Sequence, residues 1–212
     1  MDVLARIDEA RAATDVLQHP FYRRWSAGEL GAAELERYAG QYRHAVVALA
    51  DASADAAAAA GPEHMAGLAR HAEEERAHVA LWDAFAQACG ASGAGAAALP
   101  GTEECVGAWR AGSGLLERLA VLYAIEASQP AISQTKLDGL REHYEQIEEG
   151  PATEYFSLHA VRDVEHARSA GRLIEELMAA CPEPQQQADR MVARAEQALQ
   201  GNWRLLDDVQ EA

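Results

Sequence analysis

The sequence predicts an all-α protein, and three observations carry that prediction. Alanine and leucine dominate the chain, proline and glycine fall between long helix-favouring stretches, and no β-branched run alternates over a convincing length. The 212 residues, 49% of them hydrophobic, are expected to form one domain spanning 1–212, since a chain of this length can bury a sizeable core.

Seven main helices are expected, separated where helix breakers cluster. His19-Pro20 ends the first segment, and Ser26-Ala27-Gly28 closes a short stretch after it. Gly61-Pro62 divides two long alanine-rich runs, and the Gly/Ala-rich stretch 90–100 is the longest expected loop and the one expected to flex. Gly112-Ser113-Gly114 precedes an apolar run that ends at Glu126, and Pro130, four residues further on, should end or kink that helix. Gly150-Pro151 and Cys181-Pro182-Glu183-Pro184 bound the penultimate helix. The last, over 185–210, is amphipathic through Met191, Ala195, Ala198, Leu199, Leu205 and Leu206, and either closes the bundle or forms a homodimer interface.

The most informative run for chemistry lies near the C-terminus. His159, Asp163 and His166 are spaced four and three residues apart, so on a helix, at about 100° per residue, Asp163 lies roughly 40° and His166 roughly 20° from His159. All three can converge on one point. Such a triad also occurs by chance on solvated faces, so it gains weight only if other helices supply matching ligands, commonly as a Glu-x-x-His pair. The run His71-Ala72-Glu73-Glu74-Glu75-Arg76-Ala77-His78 contains one in Glu75 and His78. Glu126 stands on an apolar stripe with Leu119, Leu122 and Tyr123, where an ionised carboxylate is costly unless paired or metal-bound. Together Glu75, His78, Glu126, His159, Asp163 and His166 offer three carboxylates and three imidazoles, a set suited to iron or manganese. With no thiolate among them, structural zinc and iron–sulfur clusters are disfavoured.

The run Tyr123-Ala124-Ile125-Glu126-Ala127-Ser128-Gln129-Pro130, followed by Lys136-Leu137-Asp138-Gly139-Leu140 and the His-x3-Asp-x2-His triad, resembles the haem-oxygenase-like dimetal oxidases. Within them it is closest to the group of the chlamydial protein associating with death domains. The stretch from His19 to Leu30, with Tyr38 and Tyr42 after it, is similar too, so the resemblance covers nearly the whole chain. It implies a seven-helix, haem-oxygenase-like (TenA/PqqC-like) bundle holding two divalent metal ions, Fe/Fe or Fe/Mn, that reacts with dioxygen and an external reductant. It further implies formation of p-aminobenzoate for folate biosynthesis from the protein's own residues. The tyrosine role carries over to Tyr22, with Tyr38 as a second candidate, and the lysine role to Lys136, ten residues after Glu126. Read without the resemblance, Tyr22 is an ordinary core tyrosine and Lys136 an ordinary surface lysine.

Two departures stand out. The family pattern has several more residues between the glutamate and the histidine of the Glu75–His78 helix. Loss of one turn favours Glu75, Glu74 at i−4 fits nearly as well, and an ungapped alignment puts His71 at the glutamate position. Ile125 also stands where the chlamydial protein has a tyrosine, which bears on radical transfer.

A formal charge of −16 and a pI near 4.8 argue against nucleic acids and anionic membranes as partners. No apolar run approaches the roughly 20 residues that span a bilayer, and the start lacks a signal peptide's order, so a cytoplasmic location is expected. Cys89, Cys105 and Cys181 are expected as reduced thiols, with Cys89 and Cys181 at helix ends. Gly93-Ala94-Gly95 follows a helix instead of a strand, which argues against a nucleotide cofactor. Three rival readings remain: a multiple-turnover oxidase using the same ligands on a diffusible substrate, a cofactor-free oxidase of the same fold, and a helical protein-interaction module.

Overall fold

The computed structural model describes residues 2–91 and 96–212. Among them nine α-helices and no strands occur: α1 (Val3–Ala13), α2 (Pro20–Ser26), α3 (Ala32–Ala58), α4 (Pro62–Ala88), α5 (Pro100–Trp109), α6 (Leu115–Glu126), α7 (Gln129–His143), α8 (Pro151–Ala179) and α9 (Pro184–Glu211). A 3-10 turn, Val16–Gln18, joins α1 to α2.

Nine helices replace the seven expected because α2 is isolated between Pro20 and Gly28, and because Pro130 separates α6 from α7. Six of the seven prolines sit in the first turn of a helix, where the missing N–H has no partner to lose and the fixed φ suits the helix. Gly28 adopts φ +70° just past α2, a conformation open to glycine at little cost. The Gly93-Ala94-Gly95 run lies outside the described residues, as does part of the expected 90–100 loop. The described remainder is anchored, since Gln41 Nε2 donates to Ala97 O (2.9 Å) and Gln41 Oε1 accepts from Leu99 N (2.9 Å).

The helices form a layered bundle. The long α3 and α4 pack along each other, α8 lies against α4, α6 and α7, and α9 packs on α5 and α6. The amphipathic α9 thus buries Met191, Ala195, Ala198, Leu199, Leu205 and Leu206 within the chain. Between α2, α3, α4 and α8 the core is aromatic: Trp25, Tyr38, Tyr42, Trp82, Phe85 and Phe156 are all buried and in mutual ring contact. No helix of the described residues is long and apolar enough to cross a membrane. Cys89 follows the last residue of α4 and Cys181 follows α8 closely, as the sequence suggested, and all three cysteines are free.

Two tethers position the elements that matter for chemistry. Arg11 of α1 donates from Nη2 to Ala127 O (2.6 Å) and from Nε to Ser128 Oγ (3.1 Å), which places a cation at the carboxyl end of α6, where the helix dipole favours it. The short α2 is capped by His19, whose Nδ1 accepts from Phe21 N (3.0 Å), while Nε2 meets Asp207 Oδ1 of α9 (3.0 Å). Its other end is pinned to α7. Trp25 Nε1 donates to Lys136 O (3.3 Å), and the indole lies so close to Gly139 that a Cβ there would fall 2.4 Å from Nε1.

Replacing Gly139 by alanine is therefore expected to push Trp25 off α7 at a cost of about 1–3 kcal/mol, the usual range for overpacking. Urea denaturation of the variant measures this. A loss below about 0.5 kcal/mol, the scale of an ordinary surface substitution, would show that the contact relaxes without strain.

Candidate metal centre and lysine cage

α4, α6 and α8 each turn one face towards a common point between them. α4 contributes His71, Glu75 and His78, α6 contributes its last residue Glu126, and α8 contributes His159, Asp163 and His166. The three carboxylates and His159 are 2% exposed or less, although each is a charged or polar group in a helical interior. Glu75 Oε1 sits centrally, 3.3 Å from His78 Nδ1, 3.5 Å from His166 Nδ1 and 3.7 Å from His71 Nε2. His71 Nε2 lies 2.9 Å from Glu126 Oε1, and His159 Nδ1 pairs with Asp163 Oδ2 at 2.8 Å.

The six residues expected from the sequence are thus brought together, and His71 joins them. Three overlapping groups place their ligand atoms within 4.8 Å of one another: His71, Glu126 and His166; Glu75, His78 and His159; and Glu75, Asp163 and His166. Glu74 falls outside. It is 36% exposed at the side chain, holds Arg162 at 2.6 Å, and accepts from His166 Nε2 at 3.1 Å, so it orients an imidazole from behind.

Whether this cluster fits a metal can be asked of its own atoms. His71 Nε2, Glu75 Oε1, His78 Nδ1, both oxygens of Glu126, His159 Nε2, Asp163 Oδ1 and His166 Nδ1 are buried and satisfy no hydrogen bond, even where a neighbour is near. Unsatisfied buried polar atoms are costly, and eight gathered in one place are what two divalent ions would satisfy. The donor set of nitrogen and oxygen fits iron or manganese.

Electrostatics in the metal-free protein follow from the same crowding. Burial opposes a charge on His71, but the Glu126 and Glu75 carboxylates overcome it and raise its pKa to about 10. His166 is raised to about 9, burial again opposing and Asp163 and Glu75 prevailing. Burial and the neighbouring carboxylates push Glu126 upward, His71 only partly offsetting them. Burial alone would push Glu75 up too, yet contacts with His166, His71 and His78 hold it well below the ordinary range. An open cleft of about 600 Å³, lined by Leu119, Leu122 and Arg162 among others, reaches the cluster at His71 and His166.

The second notable site lies one layer away. Lys136 is the only lysine in the sequence, the other 17 cationic residues being arginine, and it is 1% exposed. Its Nζ stands over the rings of Tyr42 (4.6 Å), Phe156 (5.2 Å), Tyr38 (5.3 Å), Trp82 (5.3 Å) and Tyr22 (5.7 Å). Burial pushes its pKa well below the usual lysine value, and no carboxylate stands near to oppose this. The expectation of an ordinary surface lysine is thereby corrected. Tyr22 and Tyr38, also fully buried, share a hydroxyl contact at 3.3 Å.

Two neighbours were given no role by the sequence reading. Tyr42, named there only as part of the resemblance, is the ring closest to Nζ and lies at i+4 from Tyr38 on one helix face. Tyr155, four residues before His159, lies against that imidazole with ring centroids 4.1 Å apart.

Comparisons with known proteins agree with this architecture. The family model of iron-containing redox enzymes, of haem-oxygenase-like type, matches residues 36–202, a span that includes Tyr38, Lys136 and every residue of the cluster but not Tyr22. The chain belongs to this family. Proteins named 4-aminobenzoate synthase are among its relatives. The one from Nitrosomonas europaea is 30% identical over 97% of this chain and 90% of its own. That from Chlamydia muridarum is 28% identical over 100% of this chain and 91% of its own. Among solved structures, a haem-oxygenase-like domain of unknown function from Shewanella denitrificans superposes with a TM-score of 0.82 at 20% identity, covering 100% of this chain and 93% of that one. A TenA homolog from Pseudomonas syringae pv. tomato gives 0.84 at 17% identity, covering 99% and 91%. These two show the fold.

Because His71 and His166 must shed protons to act as ligands, metal uptake by the metal-free protein is expected to release protons and to tighten as pH rises towards about 9–10. The protons on these two histidines stabilise the metal-free fold fully below the unfolded-state value, roughly 6.5, and that contribution is lost as pH rises through 9–10. Calorimetric titration with Fe(II) in buffers of different ionisation enthalpy counts the protons. Uptake with no proton release would show that these imidazoles are not ligands.

Proposed function

We propose that this protein is an oxygen-dependent 4-aminobenzoate synthase that consumes its own side chains, drawing the ring from Tyr22 or Tyr38 and the nitrogen from Lys136. The product would serve folate biosynthesis. The observation that carries the reading is the placement of the chain's only lysine, its pKa pushed well below the usual lysine value by burial, inside a cage of three tyrosine rings. A buried amine without a partner destabilises the fold, and an apolar residue of similar size would fill the space at less cost. A lysine kept there is explained by its chemistry, since the neutral form carries the lone pair that a nitrogen donor needs.

In this reading His71, Glu75, His78, Glu126, His159, Asp163 and His166 hold two divalent ions, iron or iron with manganese. When bound, the ions supply oxidation by dioxygen, with an external reductant completing the electron balance. The chain's own residues do the rest. The aromatic cage excludes water from Lys136, Trp25 holds α2 against the Lys136 carbonyl so that Tyr22 stays in register, and Tyr38 oxygen stands within reach of the Tyr22 hydroxyl proton. The names of the relatives support the same product.

A second reading is favoured by two observations: the cleft that reaches His71 and His166, and Ile125 in place of a tyrosine beside Glu126. There the same centre acts repeatedly on a diffusible substrate, and Tyr22 and Lys136 are structural.

The presence of a single lysine makes the test specific. Protein grown on lysine labelled with ¹⁵N at the side chain is loaded with iron, with or without manganese, and exposed to air with a reductant. Labelled 4-aminobenzoate at no more than one equivalent, absent from Lys136→Arg and strongly reduced in Tyr22→Phe, is expected. More than one equivalent, or oxygen consumption with no aminobenzoate, would favour the diffusible substrate.

A further inference from the structure

The seven side chains of the centre divide into two imidazole pairs on either side of one carboxylate. His78 and His159 face each other with ring centroids 4.6 Å apart, and His71 and His166 with centroids 4.2 Å apart. Glu75 Oε1 stands between the pairs, within 3.3–3.7 Å of His78, His166 and His71. Glu126 belongs to the second pair, where both of its oxygens lack hydrogen-bond partners and Oε1 lies 2.9 Å from His71 Nε2. Asp163 spans the two, since Oδ2 pairs with His159 and Oδ1 lies 3.6 Å from His166.

We propose that His71 is a metal ligand that sets metal identity, and that the centre therefore takes iron at both positions in preference to one iron and one manganese. The proposal rests on the two-metal reading above. Its argument is one of donor chemistry. A site that separates manganese from iron does so through an unequal donor set, because manganese favours oxygen donors while imidazole strengthens the preference for iron. Here each position has two imidazoles with carboxylates beside them, so neither is the oxygen-rich one. Without His71 the second position would keep a single imidazole, His166, among Glu126, Asp163 and Glu75, and would then suit manganese.

The experiment is a competition read by metal content, independent of turnover. Metal-free protein is equilibrated without oxygen in equal concentrations of Fe(II) and Mn(II), each sufficient to fill both positions, separated from unbound ions, and analysed by elemental mass spectrometry. Two irons per chain are expected, with iron exceeding manganese by about tenfold or more, which corresponds to roughly 1.4 kcal/mol of preference. In His71→Glu one position should turn to manganese, so that the iron-to-manganese ratio falls towards one. In His71→Gln, which retains much of the side chain's bulk, total metal should fall towards one ion per chain. Circular dichroism confirms that each variant is folded, and if His71→Glu is not, the His71→Gln stoichiometry decides. One iron and one manganese in the wild type, or variants indistinguishable from it, would overturn the proposal. Binding of neither ion by folded wild-type protein would overturn the two-metal reading itself, and this inference with it.

Discussion

Loss of water around charge is the constraint on which the rest of the structure depends. Three carboxylates, four imidazoles and one amine lie in the interior of a bundle whose other contacts are alanine, leucine and aromatic rings, and each would be expensive there alone. The cluster resolves this by mutual compensation, imidazoles holding protons where carboxylates crowd them. Lys136 has no carboxylate to compensate it, and burial pushes its pKa well below the usual lysine value among rings that attract a cation. Two neighbouring pockets of one interior therefore differ in character, one dense in carboxylates and imidazoles and the other lined by aromatic rings.

This division follows from helix order. α4 faces both pockets, with His71, Glu75 and His78 towards the cluster and Trp82 one turn later in the lysine cage. α8 does the same in reverse, Phe156 lying over the amine and His159 starting the ligand face. The break before Pro130 lets α6 end on Glu126 and a separate helix, α7, carry Lys136 into the cage.

Much of this was legible in the sequence. Proline in first turns marks the helix starts because its geometry suits no other helical position, and the α8 triad could be read because spacing on one helix fixes relative direction. The choice among His71, Glu74 and Glu75 could not be read in the same way. All three lie within roughly 60° of His78 around the helix, so the choice depends on how α4 is rotated against α8, which long-range packing decides. The outcome is shared, His71 and Glu75 facing inward while Glu74 pairs with Arg162. The burial of Lys136 was equally hidden from periodicity, since a lysine on an amphipathic helix is ordinarily solvated. Its singularity in the composition was the signal available.

The tether from Arg11 to the end of α6 has a wider consequence. α1 buries only Val3, Ile7 and Ala10, so it is among the elements held least firmly, yet its guanidinium grips the two residues that follow Glu126. Fraying of the chain's outermost helix and loosening of an innermost carboxylate are thus one event seen from two ends. By thermodynamic reciprocity, whatever occupies the centre and tightens Glu126 also fastens the amino terminus to the bundle, so the state of the buried site is written on the surface, in how readily α1 exchanges its amide protons.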